Sequence, residues 1–186
     1  MCLLRKERIE MKEYRKLSIE EAERISEIDA TNYIKNVWRI NEDTDEYSLV
    51  EINWTDIELP NGYEWHLNRL KETMTNGGAA FGCFDEGILV GYGSVDKELI
   101  GKNEQYALLD QLFVSKDQRG NGVGKNLFLM CAKQAKEYGA KKIFLCAGSA
   151  ENTIAFYKKV GCVSAVERNE HLYEEDPRDI QLEYKL

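Results

Sequence analysis

The chain has 186 residues, and its 33 Asp and Glu outnumber its 25 Lys and Arg to give a formal net charge of −8. A hydrophobic fraction of 43% and a charged fraction of 31% are typical of one soluble globular domain and exclude a disordered chain. The acidic total argues against nucleic acid and anionic membrane as partners, because clustered Lys and Arg drive both kinds of binding.

Cysteine and histidine usage predicts no metal site and a reducing compartment. The five cysteines form no C-x-x-C pair, and the two histidines, His66 and His171, are isolated, so zinc ligation is not expected. The first residues lack the apolar core of an export signal, and no run of about 18 apolar residues occurs. We therefore expect a cytoplasmic protein, with residues 1–10 as an extension before a single domain over residues 11–186.

The fold is expected to begin with a short strand and a capped helix. Residues 13–17 predict the strand. Ser18 and Glu21 then have the spacing of a capping box, in which each residue satisfies a free amide of the other at a helix start. This pattern predicts a helix that runs to about residue 30.

The next segment is expected to hold two helices and an inserted hairpin. Residues 31–40 predict a helix that carries Tyr33 and Trp38, and the alternating apolar runs of residues 47–60 predict the hairpin. Residues 63–73 predict another helix. It is ended by an Asn-Gly-Gly sequence, whose residues tolerate positive φ.

The rest of the chain predicts a mixed sheet. Strands over residues 79–84 and 88–95 are joined by an Asp-Glu-Gly turn, and residues 107–114 form a third strand. Apolar residues at helical spacing predict a long helix over residues 123–138. The later elements are strands 142–147, 162–166 and 180–184 and a helix over residues 152–160. An antiparallel meander followed by β-α-β-α-β predicts an α/β fold with helices on the faces of the sheet.

Residues 118–125, Gln-Arg-Gly-Asn-Gly-Val-Gly-Lys, form the sharpest local motif. Alternate glycines let a backbone approach a ligand closely, and the free amides of the following helix start favour phosphate. Residues 116–142 carry seven Lys and Arg against two acids, a local charge of +5. Two common phosphate motifs do not fit this loop. A P-loop needs glycine where the chain has Arg119, and a dinucleotide fingerprint needs glycine where it has Lys125 or Leu127. The loop is therefore either a different phosphate site or a glycine-rich turn.

Two segments together resemble the GNAT superfamily of N-acetyltransferases. The first is Leu-Phe-Val at residues 112–114, followed by R-x-x-G-x-G from Arg119 to Gly124. The second is N-x-x-A-F-Y from Asn152 to Tyr157, followed by Gly161 and, where the family commonly has Phe, Cys162. The resemblance implies an α/β (α+β) fold. Its central sheet would be mixed and mostly antiparallel, with about 6–7 strands, helices on both faces and a splayed central strand that binds acyl-CoA.

The resemblance also implies acetyl-CoA as cosubstrate and no metal. The CoA diphosphate would lie on the loop amides, and the pantetheine arm would pair with the splayed strand as an added strand. A backbone N–H near Val114 would polarise the acetyl carbonyl. The implied cofactor-binding residues are Leu112, Phe113, Val114, Arg119, Gly120, Asn121, Gly122, Val123, Gly124, Lys125, Asn152 and Tyr157.

The implied reaction is direct transfer of the acetyl group to an amine, with Tyr157 as the general acid that protonates the departing sulfur. Tyr157 could instead be a packing aromatic. Asp110, placed by alternation on one face with Leu108 and Leu112, is the candidate base or amine anchor, or an ordinary strand-end polar residue. Glu104 is a weaker candidate. An acyl-cysteine route through Cys146 or Cys162 is disfavoured, because no histidine lies near either in sequence.

Residues 41–60 contain seven acids and no Lys or Arg. They are either a solvated hairpin or an acidic wall that holds a cationic acceptor, with Asp29, Tyr33 and Trp38 as substrate-binding residues through charge and cation–π contact. The predicted function is acetylation of a primary amine of a small, cationic molecule through a ternary complex. The alternatives are a protein or peptide N-acetyltransferase and a non-catalytic acyl-CoA sensor. A homodimer is possible.

Overall fold

The computed structural model describes residues 12–41, 43–44 and 46–186. The predicted N-terminal extension, together with two acids of the acidic segment, Glu42 and Asp45, lies outside the described residues. None of the helices in the described part is long and apolar enough to cross a membrane.

Seven strands form one sheet in the order β1-β4-β5-β6-β7-β9-β8. Neighbouring strands are antiparallel, except that β6 and β7 are parallel at the centre. This mixed, mostly antiparallel sheet confirms the predicted fold class. Its strands are β1 (Glu13–Lys16), β4 (Ala79–Asp85), β5 (Ile88–Ile100), β6 (Tyr106–Val114), β7 (Lys142–Ala147), β8 (Val163–Ser164) and β9 (Ile180–Lys185). A separate two-stranded sheet consists of β2 (Asn32–Asn41) and β3 (Glu46–Asp56).

Helices cover both faces of the large sheet. The helices α2 and α3 pack on one face around Leu127, Phe128 and Ile154. A 3-10 helix and α1 pack on the other face around Ile25 and Leu70. The bounds are Ile19–Glu27 for the 3-10 helix, Tyr63–Thr75 for α1, Val123–Glu137 for α2, Glu151–Val160 for α3 and Glu170–Glu175 for α4. Burying apolar residues on both faces is what stabilises such a three-layer arrangement.

Several local signals act as predicted. The Ser18 backbone N–H donates to Glu21 Oε2 at 3.0 Å, so the capping box starts a helix, although its turns are 3-10 rather than α. Gly161 ends α3 with a φ of 107°, a conformation that glycine adopts at little cost. The predicted strand over residues 162–166 shortens to β8, and α4 was not predicted.

The predicted helix over residues 31–40 is wrong, because this segment is strand β2. Aromatic and β-branched residues favour an extended backbone, and β3 supplies a partner in which Val37 pairs with Val50 and Trp38 with Leu49. The hairpin therefore spans residues 32–56 rather than 47–60. Every described residue of β3 except Asp56 is exposed.

The hairpin is joined to the main sheet through the start of α3. Val37 is buried and forms a bridge with Ala150, and the Trp38 backbone N–H donates to Ser149 O at 2.8 Å. These contacts place β2 beside the carboxyl end of β7, where the site described below lies.

Candidate functional site

The two parallel strands at the centre of the sheet diverge after three paired positions. Residues 106–108 of β6 pair with residues 142–144 of β7, whereas β7 continues to pair with β9 along its whole length. Beyond Leu108, β6 therefore has one edge without a neighbouring strand. This gap opens toward the carboxyl ends of both strands, and it confirms the splayed strand of the predicted fold class.

The hydrogen-bond phase of β6 shows which backbone groups face the gap. The Ser115 N–H donates to Val90 O on β5 at 2.9 Å. Hydrogen-bonded and non-hydrogen-bonded pairs alternate along antiparallel strands, so the backbone N–H groups of Leu112 and Val114 point away from β5 and into the gap. The Val114 carbonyl is occupied by Arg119 Nε at 2.9 Å. An extended chain of amides could pair with the free N–H groups as an added strand.

The glycine loop lies at the open end of β6 and leads into α2. Gly120 and Gly122 have φ values of 80° and 83° with no atom within 4 Å of an added Cβ, so the loop borders open space. Within the described chain, the backbone N–H groups of residues 120–125 make no hydrogen bond. The first helical bond runs from Asn126 N to Gly122 O. Free amides at the positive end of a helix fit a diphosphate group, so the loop suits the diphosphate of CoA.

We expect Gly122→Ala to weaken CoA binding about 10-fold, because the added methyl group enters the open side of the loop and strains a positive φ. Gly87→Ala is a matched control. Gly87 has a φ of 80° and the same open surroundings, but it lies in the β4–β5 turn. Calorimetric titration with CoA, alongside thermal unfolding, measures both variants. Equal CoA affinity in the two variants would show that the loop is only a turn.

Arg119, predicted as a phosphate contact, binds the chain itself. Its guanidinium donates to Thr31 O at 2.8 Å, Asn32 Oδ1 at 3.1 Å and Ala30 O at 3.2 Å. Asn152 Nδ2 also donates to Asn32 Oδ1, at 3.0 Å. The start of β2 is therefore tied to the end of β6 and to the first turn of α3. Direct contact of Arg119 and Asn152 with the cofactor stays a prediction.

Tyr157 lies in the core that α2 and α3 form against the sheet, with its ring against Phe128 and Phe156. The residue is 8% exposed. Its hydroxyl makes no hydrogen bond within the described part of the chain. The hydroxyl oxygen is nevertheless not completely enclosed by protein. Burial, with nearby Cys162, Cys131 and Asp179, raises the pKa of the Tyr157 hydroxyl. Tyr157 therefore stays protonated at neutral pH, as a proton donor must.

Asp110 occupies a bulge of β6. Gln111 pairs with Ser94 and Leu109 with Val95, so Asp110 has no partner on β5, and the bulge reverses which face the following residues occupy. Leu108 consequently packs with Phe144, whereas Leu112 packs with the α2 core. The predicted placement of Leu108 and Leu112 on one face is therefore wrong.

The Asp110 carboxylate is already paired. Its side chain is 2% exposed and forms an ion pair with Arg69 of α1, and Gln111 Nε2 donates to its other oxygen at 3.3 Å. Gln111 also accepts from the Tyr92 hydroxyl at 2.8 Å, and its Oε1 lies 2.8 Å from His66 Nδ1. This buried network holds the bulge. Neither Arg69 nor His66 carries a local sequence signal that would have linked it to Asp110, 41 and 44 positions away in the printed sequence.

The other sequence candidates lie apart. Asp29 is exposed and accepts from the Thr31 N–H at 3.0 Å, and the exposed Tyr33 bonds to Asn53. Trp38 is half-buried, with Lys158 Nζ 5.3 Å from its ring centre. The structure does not bring these three together, and their substrate-binding role stays a prediction. Glu104 lies in the turn at the start of β6, the end opposite the gap.

The two cysteines considered for an acyl-enzyme are protonated thiols. Burial raises the pKa of both Cys146 and Cys162 to about 12. A thiol is a weak nucleophile until it loses its proton, so these groups fit direct transfer better than a covalent intermediate. Among the described residues, no group of three or more His, Cys, Asp and Glu side chains is arranged to hold a metal ion.

Two pockets lie where the hairpin meets α1 and the 3-10 helix. Their volumes are about 420 and 220 Å³, and they share residues 57–59. The larger pocket is lined by Trp54, Asp56 and Glu58, an aromatic ring beside two carboxylates. Aromatic faces and carboxylates are the groups that bind cations in proteins.

Comparisons with known proteins agree with this geometry. Residues 37–162 match the model of the acetyltransferase (GNAT) family. The structure of a nourseothricin acetyltransferase has a TM-score of 0.70 at 20% identity, and the match covers 94% of this chain and 98% of that one. A putative streptothricin acetyltransferase from Bacillus anthracis in complex with acetyl coenzyme A has a TM-score of 0.70 at 20% identity, covering 95% and 99%.

A third structure, the PaiA N-acetyltransferase from Thermoplasma acidophilum in complex with coenzyme A, has a TM-score of 0.60 at 20% identity and covers 95% of this chain and 99% of its own. At these identities the likeness is one of fold. No curated protein sequence matches the chain.

Proposed function

The chain belongs to the acetyltransferase (GNAT) family and is an acetyl-CoA-dependent acetyltransferase, and we propose that its acceptor is a primary amine of a small, cationic molecule. The observation that carries this proposal is the acidic and aromatic pocket between the hairpin and α1, lined by Trp54, Asp56 and Glu58. Two of the solved structures that match nearly the whole chain are named for nourseothricin and streptothricin, which supports a small-molecule acceptor.

The cosubstrate side of the proposal follows the backbone. Acetyl-CoA supplies the acetyl group when it is bound. The amides of residues 120–125 would hold its diphosphate, and the Leu112 and Val114 N–H groups would pair with the amides of its arm. Because these are backbone contacts, they bind a common cosubstrate without constraining the acceptor. Selectivity for the acceptor must then come from side chains on the opposite side of the gap.

The proposed chemistry assigns one proton transfer to Tyr157. Its buried hydroxyl would protonate the sulfur as the C–S bond breaks. The ion pair with Arg69 leaves Asp110 as a group that holds the bulge and the floor of the gap, and its predicted use as base or amine anchor would require it to give up that pair. Both roles belong to the proposal.

A panel of amines tests the proposed function. Thiol release from acetyl-CoA is measured with polyamines, aminoglycoside-type and streptothricin-type compounds, a lysine peptide and neutral amines of similar size. We expect turnover with the small cationic compounds. Asp56→Asn/Glu58→Gln should raise their KM about 10-fold at low salt, with the effect falling as salt screens the charges, and should leave a neutral amine unaffected.

A second double variant controls for the change of net charge. Glu98→Gln/Glu137→Gln removes two exposed acids of β5 and α2 that line neither pocket, so KM should not change. Binding of CoA without thiol release from any amine would favour the acyl-CoA sensor instead. Turnover of the lysine peptide alone would favour a protein acetyltransferase.

A further inference from the structure

A buried histidine, His66 of α1, connects the larger pocket to the central sheet. The residue is 4% exposed. Its Nε2 lies 2.6 Å from the backbone oxygen of Pro60, a residue that lines this pocket. Its Nδ1 lies 2.8 Å from Gln111 Oε1, directly after the bulge of β6 at Asp110. The imidazole ring therefore joins the wall of the pocket proposed for the acceptor to the strand that borders the gap.

The side-chain amide of Gln111 has one orientation that satisfies its neighbours. Its Nε2 lies 3.3 Å from the backbone oxygen of His66 and 3.3 Å from Asp110 Oδ2. If the amide were reversed, Oε1 would face these two oxygens, and none of the three has a proton to give. Oε1 therefore faces His66 Nδ1 and the Tyr92 hydroxyl, which donates to it at 2.8 Å.

Both ring nitrogens of His66 consequently face oxygens that only accept hydrogen bonds. One is the backbone carbonyl of Pro60 and the other is the amide oxygen of Gln111. A neutral imidazole carries one N–H group and can donate to only one of them, whereas an imidazolium donates to both. The complete connection from the pocket wall to β6 therefore requires a proton on each ring nitrogen.

The charged groups near the His66 ring come from two elements. Arg69 belongs to α1 itself and Asp110 to β6, while β5 contributes the Tyr92 hydroxyl through its bond to the same amide oxygen. In the described part of the chain, the 3-10 helix, β4 and the loop before α1 place no charged group within electrostatic range of the ring. Burial lowers the pKa of His66 below its ordinary value of 6.5, although its two hydrogen-bond acceptors and Asp110 act in the opposite direction. The ring thus holds both protons in mildly acidic solution and loses one as the pH rises.

We propose that His66 is a positioning residue for the acceptor, which links the Pro60 wall of the pocket to β6 when both of its ring nitrogens are protonated. This assignment rests on the proposed function. When one proton is lost, a nitrogen lone pair faces an oxygen lone pair at one end of the link, and that end opens. The pocket wall is then no longer held against β6, so the affinity for the acceptor should fall as the pH rises through the titration of His66.

NMR spectra of the ring nitrogens measure the protons directly. The chain has two histidines, and the side chain of the other, His171, is 83% exposed, so a His171→Gln variant assigns the signals of both rings. Spectra of the full chain, labelled in its histidines, are recorded from about pH 5 to about pH 8. We expect N–H groups at both nitrogens of His66 at the acidic end and at one nitrogen at the alkaline end. A single N–H group at every pH overturns the inference, whether or not the enzyme is active.

Steady-state kinetics test the link to the acceptor. In His66→Gln both donor protons are on one nitrogen, so the side chain cannot reach both oxygens and does not titrate. At about pH 5.5 its KM for the best cationic amine should exceed the wild-type value about fivefold, the effect of one hydrogen bond. The ratio of the two KM values should fall toward one at about pH 8. Titration of the amine, Asp56 and Glu58 affects both enzymes alike and cancels in this ratio, whereas a purely structural role gives a ratio that does not follow pH.

Controls separate the possible failures. The CoA dissociation constant of His66→Gln should be unchanged, and His171→Gln should keep the wild-type KM at every pH. The spectra require only the wild type and His171→Gln, so they remain decisive if thermal unfolding shows that His66→Gln does not fold. Two N–H groups together with a KM ratio that is constant over pH would overturn the inference for an active enzyme. A wild type inactive on every amine overturns the proposed function instead.

Discussion

Replacing Arg69 with methionine should destabilise the protein by about 3 kcal/mol, because it leaves the Asp110 carboxylate as an unpaired buried charge. Asp110 has a 2% exposed side chain, whereas Arg69 is 28% exposed, so water can relieve part of the cost. The Arg69 guanidinium carbon lies 5.1 Å from the centre of the Trp65 ring, and methionine keeps a long side chain at this position. For a chain of this length the loss corresponds to about 6–12 °C in Tm, measured by thermal unfolding.

The same experiment identifies the cause. Arg69→Met/Asp110→Asn removes both charges and should recover most of the lost stability. Lys71 lies on the same helix as Arg69 and pairs with the exposed Glu23 of the 3-10 helix. Lys71→Met deletes that pair and should cost at most about 0.5 kcal/mol. Similar losses for Arg69→Met and Lys71→Met would mean that the Asp110 pair is no stronger than a surface ion pair.

The part of the fold that could be predicted from the sequence is the part specified by neighbouring residues. From β4 to α3 each element has its own apolar period, and glycines such as Gly161 mark the ends with a positive φ. The glycine loop follows the same logic, since its alternating residues and the helix after it are adjacent in the chain. These elements also carry the cosubstrate side of the site.

The helix prediction for residues 31–40 failed because the structure of this segment depends on a partner strand. Residues 31–40 contain aromatic and β-branched residues whose spacing is compatible with a short helix as well as a strand. The choice is made by pairing with β3 and by the bridge from Val37 to Ala150, more than a hundred positions away. The strand or helix preference of a residue, judged from its neighbours in the sequence, does not include such distant contacts.

The acceptor side of the site was predicted least well for the same reason. Side chains of β6 alternate between the two faces of the sheet until the bulge at Asp110. Only the pairing with β5 reveals that Asp110 has no partner there. The sequence identifies Asp110 as a carboxylate in an apolar strand, but its neutralising partner comes from α1. The position of β9 between β7 and β8 is likewise an order that no local pattern specifies.

Replacing Tyr157 with phenylalanine should lower kcat about 100-fold while leaving the CoA dissociation constant unchanged, because only the proton donated to the departing sulfur is lost. The hydroxyl makes no hydrogen bond in the described part of the chain, and burial raises its pKa, so its removal should not reduce Tm. Steady-state kinetics with the best amine of the panel, together with CoA titration, measure these effects. The expected loss of kcat without loss of binding is that of a group acting in the transition state.

Tyr184→Phe is the matched control, since Tyr184 packs on the same Phe128 ring at 5.1 Å between ring centres but belongs to β9. It should retain the wild-type kcat. If both variants lose activity equally, the effect comes from packing on Phe128 rather than from proton donation. A Tyr157→Phe enzyme with nearly wild-type kcat and intact CoA binding would remove Tyr157 from the mechanism. In that case the thiolate leaves without a protein acid, and the burial of Tyr157 serves the core alone.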